Sequence, residues 1–361
     1  MITRKLQEKL SITYARMNFR LRKDNPKVKL VAIAKDESAY LVDWIFHHLY
    51  FGFDELVIYV NNTSDNTNEL IDALASEHHI RFESGDPYFQ QSLRAPQMAI
   101  YLDELRKSRL QGFTHLMFLD VDEFYTPLDF TLNIKDFIKT SESADVYCFE
   151  WVHKMDEYAP FAAPFTPNLV GRRAQQVKSL VATYIEPLNA NPHNFLINTG
   201  NYKLADGAPF EIDKENYSKV PLEELAKPLK PVFVLHRMTR HPLEYIAALK
   251  RGRPLVEGKQ GSQFKNNRSG IFNDDSNITV NIPSEKVIDY QHQKQLYISK
   301  RNLESVIEKG REMVISRYHD VISMIKGAPE SESATLTKIL KNVDLPEVKQ
   351  AHEEFLQNHQ L

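Results

Sequence analysis

The chain has 361 residues, 42% of them hydrophobic, 26% charged and 11% aromatic, a globular balance that supports one large core or two smaller ones. Disordered, collagen-like and coiled-coil readings are excluded, and a net charge of -3 gives no nucleic-acid signature. Cys148 is the single cysteine and the first thirty residues lack the apolar stretch of a signal peptide, so a reducing, cytoplasmic location is expected.

Residues 1–27 carry eight Lys or Arg against Glu8 and Asp24, a local charge of +6. Such a segment is either a solvated arm or an arm held against anionic lipid at the inner face of a membrane. From Lys29 to Ala34 the chain reads as a buried strand, and Tyr40 to Phe51 places Leu41, Trp44, Ile45, His48 and Leu49 on one helical stripe. Glu55 to Val60 is a second strand, Asn61 to Asn66 a turn-rich cap, and a helix runs to about Ser76. A strand over 79–84, a helix over 95–109 and a strand over 114–119 complete an alternation that implies a mostly parallel sheet with helices on both faces.

Beyond about residue 140 the pattern loosens. Strands are expected over 145–151, 177–184 and 232–235, ordered loops over 159–168 and 187–194, and a helix from Pro242 to near Gly252. Residues 284–326 read as helical, 327–335 as a polar linker and 336–361 as a terminal helix. A second basic cluster, Arg237, Arg240, Lys250, Arg251, Arg253, Lys259, Lys265 and Arg268 against Glu244 and Glu257, also sums to +6.

The chemistry concentrates where the 114–119 strand ends. Asp120 and Asp122 sit at i and i+2, so both can reach one centre, and two ionised carboxylates that close require a cation between them. Hard oxygen ligands favour Mg²⁺ or Mn²⁺, with positions left for substrate phosphates. No glycine-rich phosphate loop, H-E-x-x-H or paired C-x-x-C is present, so an anionic substrate must be held by cations.

The segment Asp120 to Phe124 resembles the DxD motif of glycosyltransferases with the GT-A fold, in particular a bacterial family-two-like group related to glycosyltransferase family ninety-two. Ile33 to Trp44 is similar to that group's K-N-E-x-x-Y-L-x-E-W segment, Gly52 to Asp54 to its G-V-D turn, and Tyr59 to Thr67 to its D-N-x-S-x-D-x-T segment. Gln97 with Tyr101, Gln176 to Leu180, Asn191 to His193 and His236 to Tyr245 resemble further blocks in the same order, so the likeness spans roughly residues 28 to 255. Asp36 stands where the family has Asn, Asn61 where it has Asp, and Arg237 and Met238 where it has an aromatic.

The resemblance implies an α/β chain with a Rossmann-like, mostly parallel sheet flanked by helices. Its parts would be a basic arm (1–27), a GT-A domain (28–282, with a nucleotide half to about 140 and an acceptor half after it) and a helical C-terminal extension (283–361). It implies a metal-dependent hexosyltransferase of polysaccharide biosynthesis, with Mn²⁺ or Mg²⁺, that moves a sugar from a UDP-linked donor to a glycan or glycolipid acceptor with inversion. Lys35, Glu37, Asn62, Asp65, Gln97, Asp120, Arg237 and Arg240 would bind the donor, and Asp120, Asp122 and His236 the metal, with His193 as the next ligand candidate. Asp65 can equally cap a helix. Inversion needs a base, expected at Asp156 or Glu157, with Glu150 and Asp206 as competitors. Two other readings stand beside this one: a haloacid-dehalogenase-like phosphatase, which would need a later acidic pair ending a strand, whereas Asp274 and Asp275 have no strand before them, and a non-catalytic sugar-binding protein.

Overall fold

The structure is a computed structural model that describes residues 4–22, 24–90, 95–212, 215–250, 262–272 and 277–360. Arg251, Arg253, Glu257 and Lys259 of the second basic cluster, and Asp274 with Asp275, lie outside the described residues.

In chain order the first half comprises α1 (Arg4–Leu21), β1 (Val28–Ala34), α2 (Ser38–Tyr50), β2 (Glu55–Val60), α3 (Thr67–Ala73), β3 (Ile80–Ser84), α4 (Asp86–Gln90), α5 (Pro96–Leu110), β4 (His115–Phe118), β5 (Glu123–Pro127) and α6 (Ile134–Thr140). The second half comprises β6 (Val146–Lys154), β7 (Asn168–Ala182), β8 (Pro187–Ala190), β9 (Phe195–Ile197), β10 (Tyr202–Leu204), β11 (Val232–His236), α7 (Pro242–Leu249) and β12 (Ile278–Asn281). The helices α8 (Ser284–Lys300), α9 (Glu304–Lys326), α10 (Ser333–Ile339) and α11 (Pro346–Asn358) follow.

A ten-stranded sheet runs β3-β2-β1-β4-β7-β6-β11-β5, with β10 on β6 and β12 on β7. The first four strands are parallel, as the alternation implied. The sheet becomes mixed where β7 enters antiparallel between β4 and β6, and β5 pairs antiparallel with β11. Its two faces are read from β1: Leu30 and Ala32 join a core with Trp44 and Ile45 of α2, and Val31 joins a second core with Ile100, Tyr101 and Leu105 of α5.

Several elements depart from the sequence reading. Residues 187–194, expected as a loop, form β8 and the turn into β9. The helical stretch 284–326 is broken after α8, where Asn302 takes a left-handed φ of 52°. The terminal stretch 336–361 is broken before α11, with Asn342 at φ 60° and Pro346 opening the last helix. The basic arm is a helix, α1, packed on α5 with Ile12 and Ala15 buried. The helical extension is integral to the main core. Tyr290 of α8 packs on Phe46 with ring centroids 5.2 Å apart, and α9 lies against α2 and α7.

Candidate active site

The carboxyl ends of β1, β2 and β4 open onto a cavity of about 930 Å³. β1 delivers Lys35 and Glu37, β2 delivers Asn61 and Asn62, α5 presents Gln97 from its first turn, and the turn after β4 supplies Asp120, Val121 and Asp122. Open α/β sheets bind ligands at this end because the strands diverge there and successive loops leave a crevice.

Asp122 and His236 are brought together by strand pairing. β5 and β11 run antiparallel with Glu123 opposite His236, and the Arg237 N–H donates to the Asp122 carbonyl at 2.8 Å. His236 Nε2 consequently lies 3.6 Å from Asp122 Oδ2. Burial alone would raise the Asp122 carboxyl, but His236, Arg240 and Arg268 outweigh it and hold the group well below the usual carboxylate range.

Asp120 is held differently. Lys178 on β7 reaches it at 3.3 Å and Glu123 at 2.8 Å, while Glu123 Oε2 accepts from the Asp120 N–H at 2.9 Å. Glu123 thus points into supporting bonds beneath the turn. Burial lowers the Lys178 ammonium, yet the two carboxylates more than offset this and raise it above its ordinary value.

Other expected donor residues divide between the cavity and its supports. Lys35, Glu37, Asn62 and Gln97 line it, with Gln97 donating to the Tyr101 hydroxyl at 2.9 Å. Asp65 does not line it. One Asp65 oxygen accepts from the Ser38 N–H at 2.9 Å and the other from the Thr67 N–H at 3.0 Å, so it ties the first turns of α2 and α3 together. Arg240, half-buried, lies over the Tyr40 ring at 3.5 Å and reaches Glu37 at 3.3 Å, steadying that acid from behind.

Arg237 also lies outside the cavity lining, in a bidentate pair with Glu157 at 2.5 and 2.8 Å. The acids weighed as catalytic base are all in ion pairs: Asp156 with Lys154 at 2.7 Å, Glu157 with Arg237, Glu150 with Arg173 at 2.8 Å and Asp206 with Lys230 at 2.6 Å. None of the four lines the cavity. His193 packs edge-on against Trp151 beside His236, with burial pushing its imidazole down to about 3.

The sequence reading placed Lys178 only within the Gln176 to Leu180 block, without a role, and missed the α4 side of the cavity, where Asp86, Phe89 and Gln90 stand. Asp86 accepts from the Asn62 N–H at 2.7 Å, which fixes Asn62 in a left-handed conformation at φ 42°. Pro87 directly after an acid was the available signal for a helix start. Lys265 and Arg268, counted earlier only as part of a basic cluster, line the far wall with Asn267.

Residues 31–166 match the family model of Glycosyltransferase family 92. The matched segment runs from β1 past β6 and contains the cavity-lining residues from Ile33 to Asp122. It supports a glycosyltransferase and agrees with the GT-A arrangement that the sequence resemblance implied. No curated protein matches the sequence. Solved structures similar to this chain include glucosyl-3-phosphoglycerate synthase from Mycobacterium tuberculosis in complex with Mn²⁺, UDP and phosphoglyceric acid, at 12% identity and a TM-score of 0.27. That alignment covers 46% of this chain and 58% of the synthase chain. S. aureus TarS 1-349 in complex with UDP aligns over 92% of this chain and 89% of its own, at 12% identity and a TM-score of 0.29.

Proposed function

We propose that this protein is a metal-dependent glycosyltransferase that moves a sugar from a nucleoside-diphosphate donor, UDP-linked in the first instance, to a glycan or glycolipid acceptor with inversion. The observation that carries the reading is the single cavity in which Lys35, Asn62 and Gln97 meet Asp120, Asp122 and His236. Lys35 and the basic wall of Lys265 and Arg268 can take the negative charge of a diphosphate, and Asn62 and Gln97 offer hydrogen bonds to a base or ribose.

Among the described residues no group of three His, Cys, Asp or Glu side chains forms a ready metal cage. The donor set nevertheless fits Mn²⁺ or Mg²⁺ held partly by substrate. Asp122 and His236 face each other at 3.6 Å, close to the about 3 Å between adjacent ligands of an octahedral cation, and such ions usually fill their remaining positions with water and phosphate oxygens. Asp120 shares the Lys178 ammonium with Glu123, so Asp122 and His236 are the pair that would first hold the metal, with Asp120 beside them. When bound, the cation supplies Lewis-acid stabilisation of the leaving diphosphate.

Thermal melting with UDP and Mn²⁺, alone and together, tests the reading. The pair should raise the melting temperature more than either alone, and Asp122→Asn should weaken binding of both by about 10- to 100-fold. Release of UDP from a UDP-sugar then separates a transferase from a sugar-binding protein. Unaltered UDP and Mn²⁺ binding by Asp122→Asn would remove the metal from this account.

A further inference from the structure

Helix α1 has two apolar faces where a helix packed on one neighbour needs one. Its inner face carries Ile12, Ala15 and Phe19, the last with its ring 5.3 Å from His115 and 4.9 Å from Tyr184. Leu6, Leu10, Tyr14, Met17 and Leu21 occupy the opposite face, and all five are exposed. At about 100° per residue they fall within one stripe about 80° wide. Leu110 at the end of α5, 68% exposed, extends it, and an open groove of about 660 Å³ runs between Leu10, Tyr14 and Leu110.

The charges on one flank of this stripe share one sign. Lys9, Arg16 and Arg20 follow it at the same angular spacing. Glu8 is the one acid of α1; it lines the groove on the other flank, and its carboxylate is paired with Arg109 and Arg106. An apolar stripe edged by cations complements an anionic bilayer, where the leucines enter the acyl boundary and the cations stay at the headgroups. A second copy of the same helix would set like charges against each other. No helix of the described residues is long and apolar enough to cross a membrane, so the contact would be interfacial.

We propose that α1 is an interfacial helix that docks the protein on an anionic bilayer. The fold separates this helix from the cavity. α1 packs along α5, with Phe19 against His115 at the amino end of β4, whereas the cavity opens at the carboxyl ends of β1, β2 and β4. The docked protein therefore holds its cavity at the other end of β4 from the Phe19 contact, across about 13 Å of strand. Given the proposed transfer reaction, on which this point alone rests, a lipid-linked acceptor would enter by its outer sugar rather than at its headgroup.

Vesicle flotation of the full chain tests the contact with two vesicle types, phosphatidylcholine alone and a mixture with phosphatidylglycerol, each at low and high salt. Binding is expected only to the anionic vesicles and should fall steeply with salt. Lys9→Gln with Arg20→Gln should weaken it about 30-fold, because two cations no longer sit among the anionic headgroups. Leu10→Glu with Met17→Glu should abolish it while leaving thermal unfolding unchanged, because both side chains are exposed. Asp122→Asn should float like the parent protein, so failure of the transfer reading leaves the membrane result standing. Equal binding to neutral vesicles, or binding retained by the Leu10 and Met17 double variant, overturns the proposal. So does a dimer in sedimentation that this variant dissolves without any flotation, which would assign the stripe to a second copy.

Discussion

Lys178 supports the acidic turn from beneath. Its ammonium is buried, 2.8 Å from Glu123 and 3.3 Å from Asp120, and Glu123 is itself fully buried. Burial pushes the Glu123 carboxyl up and Lys178 opposes this, so removing Lys178 leaves a buried carboxyl without its partner, a loss of at most about 3–5 kcal/mol, the cost of a broken buried pair. Lys178→Met should therefore destabilise the protein by that order in urea unfolding, and adding Glu123→Gln should recover a large part of it. A Lys178→Met protein as stable as the parent would mean that the turn is held by its backbone alone. The same residues show what sequence could reveal at this scale. Asp120 and Asp122 were legible because two acids directly after a buried strand have few purely structural uses. Lys178 was not, because a lysine in a strand pattern reads as an exposed edge until Asp120 arrives from 58 positions away. Asp156 and Glu157 read as candidate bases in a loop, and only the folded chain places Lys154 and Arg237 against them.

Helix α9 bears on the site through one close approach. A Cβ on Gly310 would stand 2.8 Å from Ser38 Oγ and 2.9 Å from the Ala39 backbone nitrogen, and the latter belongs to a helix turn that cannot step aside as a side-chain tip would. Asp65 already ties Ser38 in place, and Glu37 precedes it at the cavity wall. Gly310→Ala should thus separate α9 from the first turn of α2, with a loss of about 1–3 kcal/mol in stability and weaker UDP binding. An unchanged melting temperature and an unchanged UDP affinity would show that the contact gives way without strain. Periodicity indicated α9 but not this contact, since a lone glycine in a helical pattern signals only low propensity. β5 shows the converse limit. Five residues from Glu123 to Pro127 carry no strand pattern of their own and are strand only because β11 pairs with them. The antiparallel entry of β7 was hidden for a related reason: strand identity can be read locally, whereas partner and direction depend on the whole sheet.

At the scale of the molecule, burial has been extended to histidines that no cavity uses. His47 and His115 are fully buried, and burial pushes each imidazole down to about 3. His48, beside His47, is also driven down, by burial and then by His47. In the unfolded chain the same rings titrate near about 6.5. The sign follows directly. Between about pH 6.5 and pH 3 the unfolded state binds protons that the folded state refuses, so stability is full above that window and falls as the pH drops through it, by up to about 1.4 kcal/mol per pH unit for each histidine. The protein should accordingly begin to lose stability near pH 6, before most carboxylates titrate. His115 isolates the effect, because its Nδ1 has only Thr114 Oγ1 at 3.0 Å as a partner and it packs under α1 rather than at the cavity. His115→Leu should cost little at neutral pH and should flatten the acid limb of the urea-derived stability profile by about one proton's slope. An identical slope in parent and variant would mean that His115 takes up its proton in the folded state as readily as in the unfolded one, and that α1 opens to admit it.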